Sequence, residues 1–355
     1  MDTSYRKGFF MLMKTQKSIR YIDQLALFKL RGMTGINLSI HNKNAKEVSH
    51  LIKQLKTIST LGYYNLKNYA LPYYDNESSS YQNIHFDDLV ARFYRDKHLK
   101  QAVLHAIEDI ETTLNTKISN VLGRKYGPYG YLDFRIWCQR NSKNKFLHNK
   151  FMDKYVIQKE QLNFLGKIPA KVRKSASYDM RKFAFESDRV NPPIWLLMNE
   201  LTLGESIHLY KLMSKNNRDQ ISAYFGCKTD ELVSWLDNIN LIRNICCHNG
   251  LLADFRLKTK AKVPVEFKTR NIDEGILLRT REGNYTNALA FQLCIIVKLM
   301  SKINNKYIFK DIKSAVYKLL DDTTTPQHYG FRNKQMIRKL FDLATEDKVD
   351  SLIEY

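Results

Sequence analysis

The sequence predicts a mainly α-helical protein, and three observations carry that prediction. Apolar residues recur at steps of three and four in several long stretches. A single short stretch alternates with the two-residue period of a strand. No linker or low-complexity tract divides the 355 residues. The preferred architecture is therefore one compact domain over residues 1–355: a helical bundle with an N-terminal helical extension and a small β-hairpin element late in the chain. Residues 1–80 can form an N-terminal subregion ahead of a core at 81–320.

Taken in order, Ala45 to Leu61 predicts a helix with Val48, Leu51, Ile52, Leu55 and Ile58 on one stripe. Asp75 to Ser80 reads as an exposed loop. Phe86 to Leu122 is the longest helical pattern, with Leu89, Phe93, Leu99, Val103, Ile107, Ile110, Leu114 and Ile118 at helical steps. Asp87 and Asp88 suit the dipole of its first turn, and Gly123 is the expected terminator. Asn191-Pro192-Pro193 opens a helix expected to run through Leu212, proline being tolerated in a first turn. Thr229 is the expected cap of the next helix, whose Leu232, Trp235, Leu236, Ile239 and Ile242 face inward. Ala288 to Met300 is apolar but broken by Gln292 and Lys298, which predicts a core helix rather than a membrane span.

The strand-like stretch is Phe255 to Lys268. Phe255, Leu257, Ala261, Val263, Val265 and Phe267 alternate with Arg256, Lys258, Lys260, Lys262, Glu266 and Lys268. Either it forms a cationic rail or it is a solvated edge hairpin whose lysines oppose aggregation.

Composition narrows the partners. With 57 basic and 36 acidic residues the net charge is +21 and the pI near 9.6, a field that favours polyanions, nucleic acid first. From Arg140 to Lys182 twelve basic residues face three acidic ones, interleaved with Phe146, Phe151, Tyr155 and Tyr178. That stretch is the leading candidate for a surface that tracks RNA, where aromatics stack on unpaired bases. The candidate RNA-binding cations are Arg256, Lys258, Lys260, Lys262, Arg140, Lys143, Lys145, Arg173, Lys174, Arg95 and Lys97. Tyr63 and Tyr64 are stacking candidates too, although a tyrosine pair between Leu61 and Leu66 fits half-buried packing as well. Five cysteines in no CxxC pattern argue for a reducing compartment and against structural zinc. Phe9 to Met13 is too short for a signal peptide, Met11 or Met13 can serve as a start, and a cytoplasmic location is expected. No membrane partner, metal or cofactor is expected.

The chemistry-bearing motif is Arg243-Asn244-Ile245-Cys246-Cys247-His248 at the end of the helix that follows Thr229. Asn244 and His248 are four apart and share a face. Arg243 lies about 100° round, and its long stem lets the guanidinium swing toward the same phosphate. Histidine titrates near neutrality and can take or return a proton. The bland alternative is a helix end whose Arg243 and His248 cap carbonyls. Glu108 and Glu111 on the long helix are either supporting acids paired with Arg243 or ordinary surface residues.

Several blocks in order resemble the Abi family of abortive-infection proteins, the AbiD/AbiF type. They are Leu30-Arg31-Gly32-Met33, Leu61 to Tyr69, Phe93 to Lys100 running into Ala106 to Glu111, Tyr126 to Leu132, Pro192-Pro193-Ile194-Trp195, Leu203-Gly204-Glu205-Ser206, Tyr224-Phe225-Gly226 and the Arg-Asn-x-x-x-His block. The resemblance covers roughly residues 20 to 303. It implies a HEPN-like bundle, whose Arg-x4-6-His motif marks metal-independent ribonucleases, with Arg243, Asn244 and His248 as the catalytic set. The chain departs from the family pattern just after the motif. Where a second His and a Trp-Asn pair are common, it has Asn249 and Leu252-Ala253-Asp254, which bears on proton handling.

The expected function is an anti-phage endoribonuclease or toxin that cleaves RNA by attack of the 2′-hydroxyl on its own phosphate. It is expected to be a homodimer, so that two motifs meet at one cleft. The alternative is a non-catalytic protein that holds a small regulatory or inhibitory RNA.

Overall fold

Helical periodicity becomes helix along most of the chain. The structure, a computed structural model, describes residues 19–38, 44–258, 261–271 and 273–351. The segment Phe9 to Met13 and the candidate Lys260 lie outside the described residues. Two compact units divide the chain: residues 1–97 with 319–324, and residues 98–318 with 325–355. The described residues are mainly helical, as the apolar spacing predicts, and carry two small antiparallel hairpins.

The first unit holds α1 (Tyr21–Leu30), α2 (Ala45–Leu61), α3 (Tyr63–Tyr69), the hairpin β1 (Tyr74–Asp75) with β2 (Ser80–Tyr81), and the opening of α4 (Phe86–Tyr126). Asn44 starts α2 with a capping box: its side chain accepts from the Glu47 amide, and the Glu47 carboxylate accepts from the Asn44 amide. The predicted stripe on α2 is only partly seated. Ile58 is buried, whereas Val48 and Ile52 stay 43% and 48% exposed, so the N-terminal half of that face is not core. Phe28 centres the aromatic cluster, 4.7 Å from the Tyr63 ring and 6.1 Å from Phe86. Tyr63 is buried and accepts from Arg31 at 2.9 Å, while Tyr64 stands 77% exposed. The Leu30-Arg31-Gly32-Met33 block has a structural cause. Gly32 has φ +91°, and a Cβ there would lie 2.8 Å from the Tyr81 carbonyl oxygen, so the turn admits only glycine without strain.

The second unit begins with the rest of α4, whose Leu99, Val103, Ile107, Ile110, Leu114 and Ile118 are fully buried. Gly123 does not end this helix. It sits inside it, where a Cβ would meet Ile194 at 3.4 Å, and the stop is Gly127 at φ +79°. Then come α5 (Phe134–Trp137), the hairpin β3 (Lys143–Asn144) with β4 (Lys150–Phe151), α6 (Lys154–Leu165), α7 (Ile168–Lys174) and α8 (Tyr178–Glu186). The helix expected from Asn191 to Leu212 is interrupted. It forms α9 (Ile194–Leu197) and a 3-10 turn, breaks at extended Leu201 and Thr202, and restarts as α10 (Leu203–Leu212). Thr202 and Glu205 supply a capping box that favours the restart over continuation. The unit continues with α11 (Lys215–Tyr224), α12 (Thr229–Cys247), α13 (Leu289–Ile303), α14 (Lys310–Lys318) and α15 (Lys334–Ser351). Residues 288–300 form the core helix the sequence predicts, buried at nearly every position. Among the described residues no helix is long and apolar enough to cross a membrane.

Among the described residues no strand forms between Phe255 and Lys268, where the hairpin is expected, and the two hairpins lie earlier in the chain. Backbone groups there find partners other than a ladder. The Lys262 amide donates to Ser234 Oγ at 3.0 Å, its carbonyl accepts from Trp235 Nε1, and the Leu257 amide donates to the Asn287 carbonyl. Pro264 removes a donor and starts the 3-10 turn Val265–Phe267.

Candidate functional site

Helix α12 carries the motif, and its inward face is what fixes it. Leu232, Trp235, Leu236, Ile239 and Ile242 are at most 1% exposed. Burying five such side chains is worth about 1.5–3 kcal/mol each before entropy, which anchors the helix firmly in the unit. Its cap is Lys228 rather than the expected Thr229: the Glu231 carboxylate accepts from the Lys228 amide at 2.9 Å. The Thr229 hydroxyl donates instead to Asp219 at 2.6 Å. Gly204 of α10 faces α12, and a Cβ there would stand at an ordinary contact distance, 3.5 Å, from the Asn240 amide nitrogen.

The C-terminal end is built as a Schellman turn. The Gly250 amide reaches back past Asn249 to the Ile245 carbonyl at 2.8 Å, just after the last ordinary helical bond, from the His248 amide to the Asn244 carbonyl at 2.9 Å. Asn249 takes the left-handed position at φ +55°, which asparagine tolerates better than most residues. Lys100, buried to 4% exposure, donates to Asn249 Oδ1 and to the Gly250 carbonyl, both at 2.9 Å. The cation that secures this turn is therefore Lys100, a residue to which the sequence reading gave no role. His248, the C-cap, is exposed, and its imidazole makes no hydrogen bond with a described residue. Arg243 and Asn244 are half-buried on the last two turns.

Glu111 faces Arg243 electrostatically across the unit. Burial holds the Glu111 carboxyl above its ordinary range, and the Arg243 charge and the Leu203 amide pull it back down. Arg243 makes no ion pair within 4.0 Å among the described residues, so its fork of donors is not consumed by this acid. Glu108 is exposed and acts on Glu111 only as a like charge.

Downstream of the motif, Leu252 and Ala253 are buried and Asp254 bonds a second imidazole, His328 Nε2, at 2.7 Å. Arg256 donates to the His328 carbonyl at 2.6 Å. Sequence reasoning missed His328, because 74 residues separate the partners and no local pattern links them.

The remaining candidates spread over the surface. Arg256, Lys258, Lys262, Arg140, Lys143, Lys145, Arg173 and Lys174 are exposed in the second unit. Lys145 and Lys262 converge on Asp230, at 2.7 Å and 3.5 Å. Lys97 is exposed and Arg95 half-buried in the first unit. Of the aromatics interleaved with the 140–182 cations, Phe151, Tyr155 and Tyr178 are outward, 51%, 69% and 72% exposed, whereas Phe146 is half-buried. Among the described residues no group of three or more His, Cys, Asp or Glu side chains is placed to hold a metal ion.

The profile of the Abi-like protein family matches residues 56–254, more than half of the chain. That span includes Lys100, Glu111, the whole motif helix and Asp254. No curated protein and no solved structure matches the chain.

Proposed function

The chain belongs to the Abi-like protein family, which supports an abortive-infection role, and from that premise we propose an RNA-binding, metal-independent endoribonuclease of the HEPN type. The observation that carries the reading is the exposed, unengaged imidazole of His248 at the end of a firmly seated helix, with Arg243 one and a half turns back. A purely structural role would be expected to spend that imidazole on a carbonyl, and Lys100 does that work instead.

In the proposed reaction His248 takes the proton of a ribose 2′-hydroxyl, whose oxygen then attacks the adjacent phosphorus. The bond to the 5′-oxygen breaks, and that oxygen leaves with a proton. The products are a 2′,3′-cyclic phosphate and a 5′-hydroxyl. Arg243 stabilises the charge on the phosphorane, comparable to an oxyanion donor worth about 3 kcal/mol. Asn244 orients His248 or holds a phosphate oxygen. Proton transfer by one imidazole contributes typically 10²–10⁴ in rate. A second copy of the chain would supply the second imidazole, so the proposal includes a homodimer, acting in the cytoplasm on single-stranded or looped RNA.

The test is RNA cleavage by purified protein in excess EDTA, compared with His248→Ala. Cleavage that persists with EDTA, vanishes in the variant and leaves RNA binding intact supports the reading; full activity of His248→Ala refutes it. A second reading, a protein that holds a small regulatory RNA without cutting it, is favoured by the exposed Phe151, Tyr155 and Tyr178 among the 140–182 cations. Co-purified RNA with no cleavage of varied substrates would select it.

A further inference from the structure

The opposite end of helix α12 borders a cavity of about 760 Å³, walled by the β3–β4 hairpin, the start of α11 and the segment 262–268. We infer that this cavity is a binding site for a small phosphorylated ligand of nucleotide type, with a diphosphate as its anionic part. The inference does not rest on the nuclease reading. Thr229 and His248 are separated by about 28 Å along the helix axis at 1.5 Å per residue.

Charge pairing within the wall decides the ligand's sign. Lys145 and Lys262 share Asp230, and Lys215 pairs with Asp219 at 3.0 Å. Glu231 accepts from the Lys228 amide and keeps its charge, so the six cations and three carboxylates of the wall leave a net charge of +3. Three cations then remain without an ion pair among the described residues: Arg218, Lys228 and Lys268. Arg218 is the built part of the site. It is only 6% exposed, held by the carbonyls of Lys211 and Met213 and by Gln139 Oε1, yet its Nε is buried with no hydrogen-bond partner among the described residues. Arg218 lines the cavity wall, so its fixed charge acts on an anion bound there.

Size and surface decide the rest. A phosphate monoester carries about −1.5 to −2 charges near neutrality, so one group leaves part of this surplus unmatched and a diphosphate matches it. The volume falls within the roughly 300–1,000 Å³ of small-molecule sites and far exceeds what bare phosphate fills. Phe146 offers an aromatic face beside the cations: the Arg218 guanidinium lies 5.0 Å from its ring centre and the Lys145 ammonium 5.2 Å. An aromatic ring flanked by cations suits a nucleobase carrying phosphates better than a simple anion. The N-terminus of α12 adds its partial positive charge but is not the argument.

Calorimetric titration of the full chain with ADP, inorganic pyrophosphate and adenosine tests this directly. Saturable binding of ADP and pyrophosphate, with adenosine silent, is the expected result. Lys228→Glu with Lys268→Glu, both exposed positions, should weaken ADP about ten-fold or more. The control pair Lys306→Glu with Lys318→Glu, of equal charge and also exposed, should change it less than about two-fold. Phe146→Ala should weaken ADP about five-fold or more while sparing pyrophosphate. Absence of saturable ADP binding by the folded chain overturns the proposal, as does an equal loss in the control pair. Equal loss of both ligands in Phe146→Ala overturns the nucleotide assignment. If ADP fails but binding of a short RNA drops on Lys228→Glu with Lys268→Glu, the wall belongs to an RNA path instead.

Discussion

Replacing Lys100 with methionine removes a charge and keeps most of the volume, so it isolates what the ammonium does. Lys100 donates to Asn249 Oδ1 and to the Gly250 carbonyl at 2.9 Å each, from a position 4% exposed. Hydrogen bonds to charged groups are worth about 1.5–3 kcal/mol each, which puts the gross loss at roughly 3–6 kcal/mol. Relief of the buried charge offsets part of that, leaving a net destabilisation of about 3 kcal/mol. Lys100 has further interactions, so a double-mutant cycle with Asn249→Ala is the sharper measurement. The Lys100–Asn249 coupling should be about 1.5–3 kcal/mol by urea denaturation. Native-state hydrogen exchange should show the amides of His248, in the last helical bond, and of Gly250, which closes the Schellman turn, losing protection before the rest of α12. A coupling below about 0.5 kcal/mol, with those amides still protected, would refute the claim that Lys100 secures the turn bearing His248.

Three more outcomes follow from other parts of the structure. Burial holds Glu111 above its ordinary range, so stability from this group is full below the ordinary glutamate range and lost as pH rises through the raised value. Glu111→Gln should therefore exceed the parent in denaturation midpoint at neutral pH and converge on it near about pH 4; a gap independent of pH would contradict this. Gly32→Ala should lower stability by about 2 kcal/mol or more in thermal melts, since it combines φ +91° with a 2.8 Å approach to the Tyr81 carbonyl. Gly123→Ala should be neutral or stabilising by up to about 1 kcal/mol, because the position is helical and a Cβ meets Ile194 at an ordinary 3.4 Å. Marked destabilisation there would revive Gly123 as a terminator.

Local periodicity made the helices readable, and non-local chemistry accounts for what was not. The apolar steps of α4, α12 and α13 predict both helix and buried face, because one face of each packs without interruption. The strand period at Phe255–Lys268 misleads: its alternation is real, but Pro264 and the side chains of Ser234, Trp235 and Asn287 direct the backbone elsewhere. Gly123 and Thr229 have the right residue types for stop and cap, yet neighbours decide: Ile194 and Trp195 line Gly123, and Asp219 takes the Thr229 hydroxyl. At the candidate site, Arg243, Asn244 and His248 stand out by spacing alone. Lys100, Asp254–His328 and the wall of the Arg218 cavity join residues 74 to 150 apart or scattered over several elements, and no window of sequence contains them.

The asparagine that follows His248 also has a physical reading. A histidine at position 249 would have to adopt the left-handed backbone that Asn249 holds at φ +55°, and would take away the amide oxygen that Lys100 grips. Asn249 thus favours a rigid end to α12 over a second imidazole next to the first, and the second imidazole of the region, His328, is tied down by Asp254. The substitution Asn249→His separates two ideas. If proton supply limits cleavage, the variant should cleave RNA faster despite lower stability. If the held geometry of His248 limits it, the loss of the Lys100 contact should slow cleavage in step with lost protection of the Gly250 amide. The hydrogen bonds that Lys100 and the Gly250 amide make at this turn favour the second outcome.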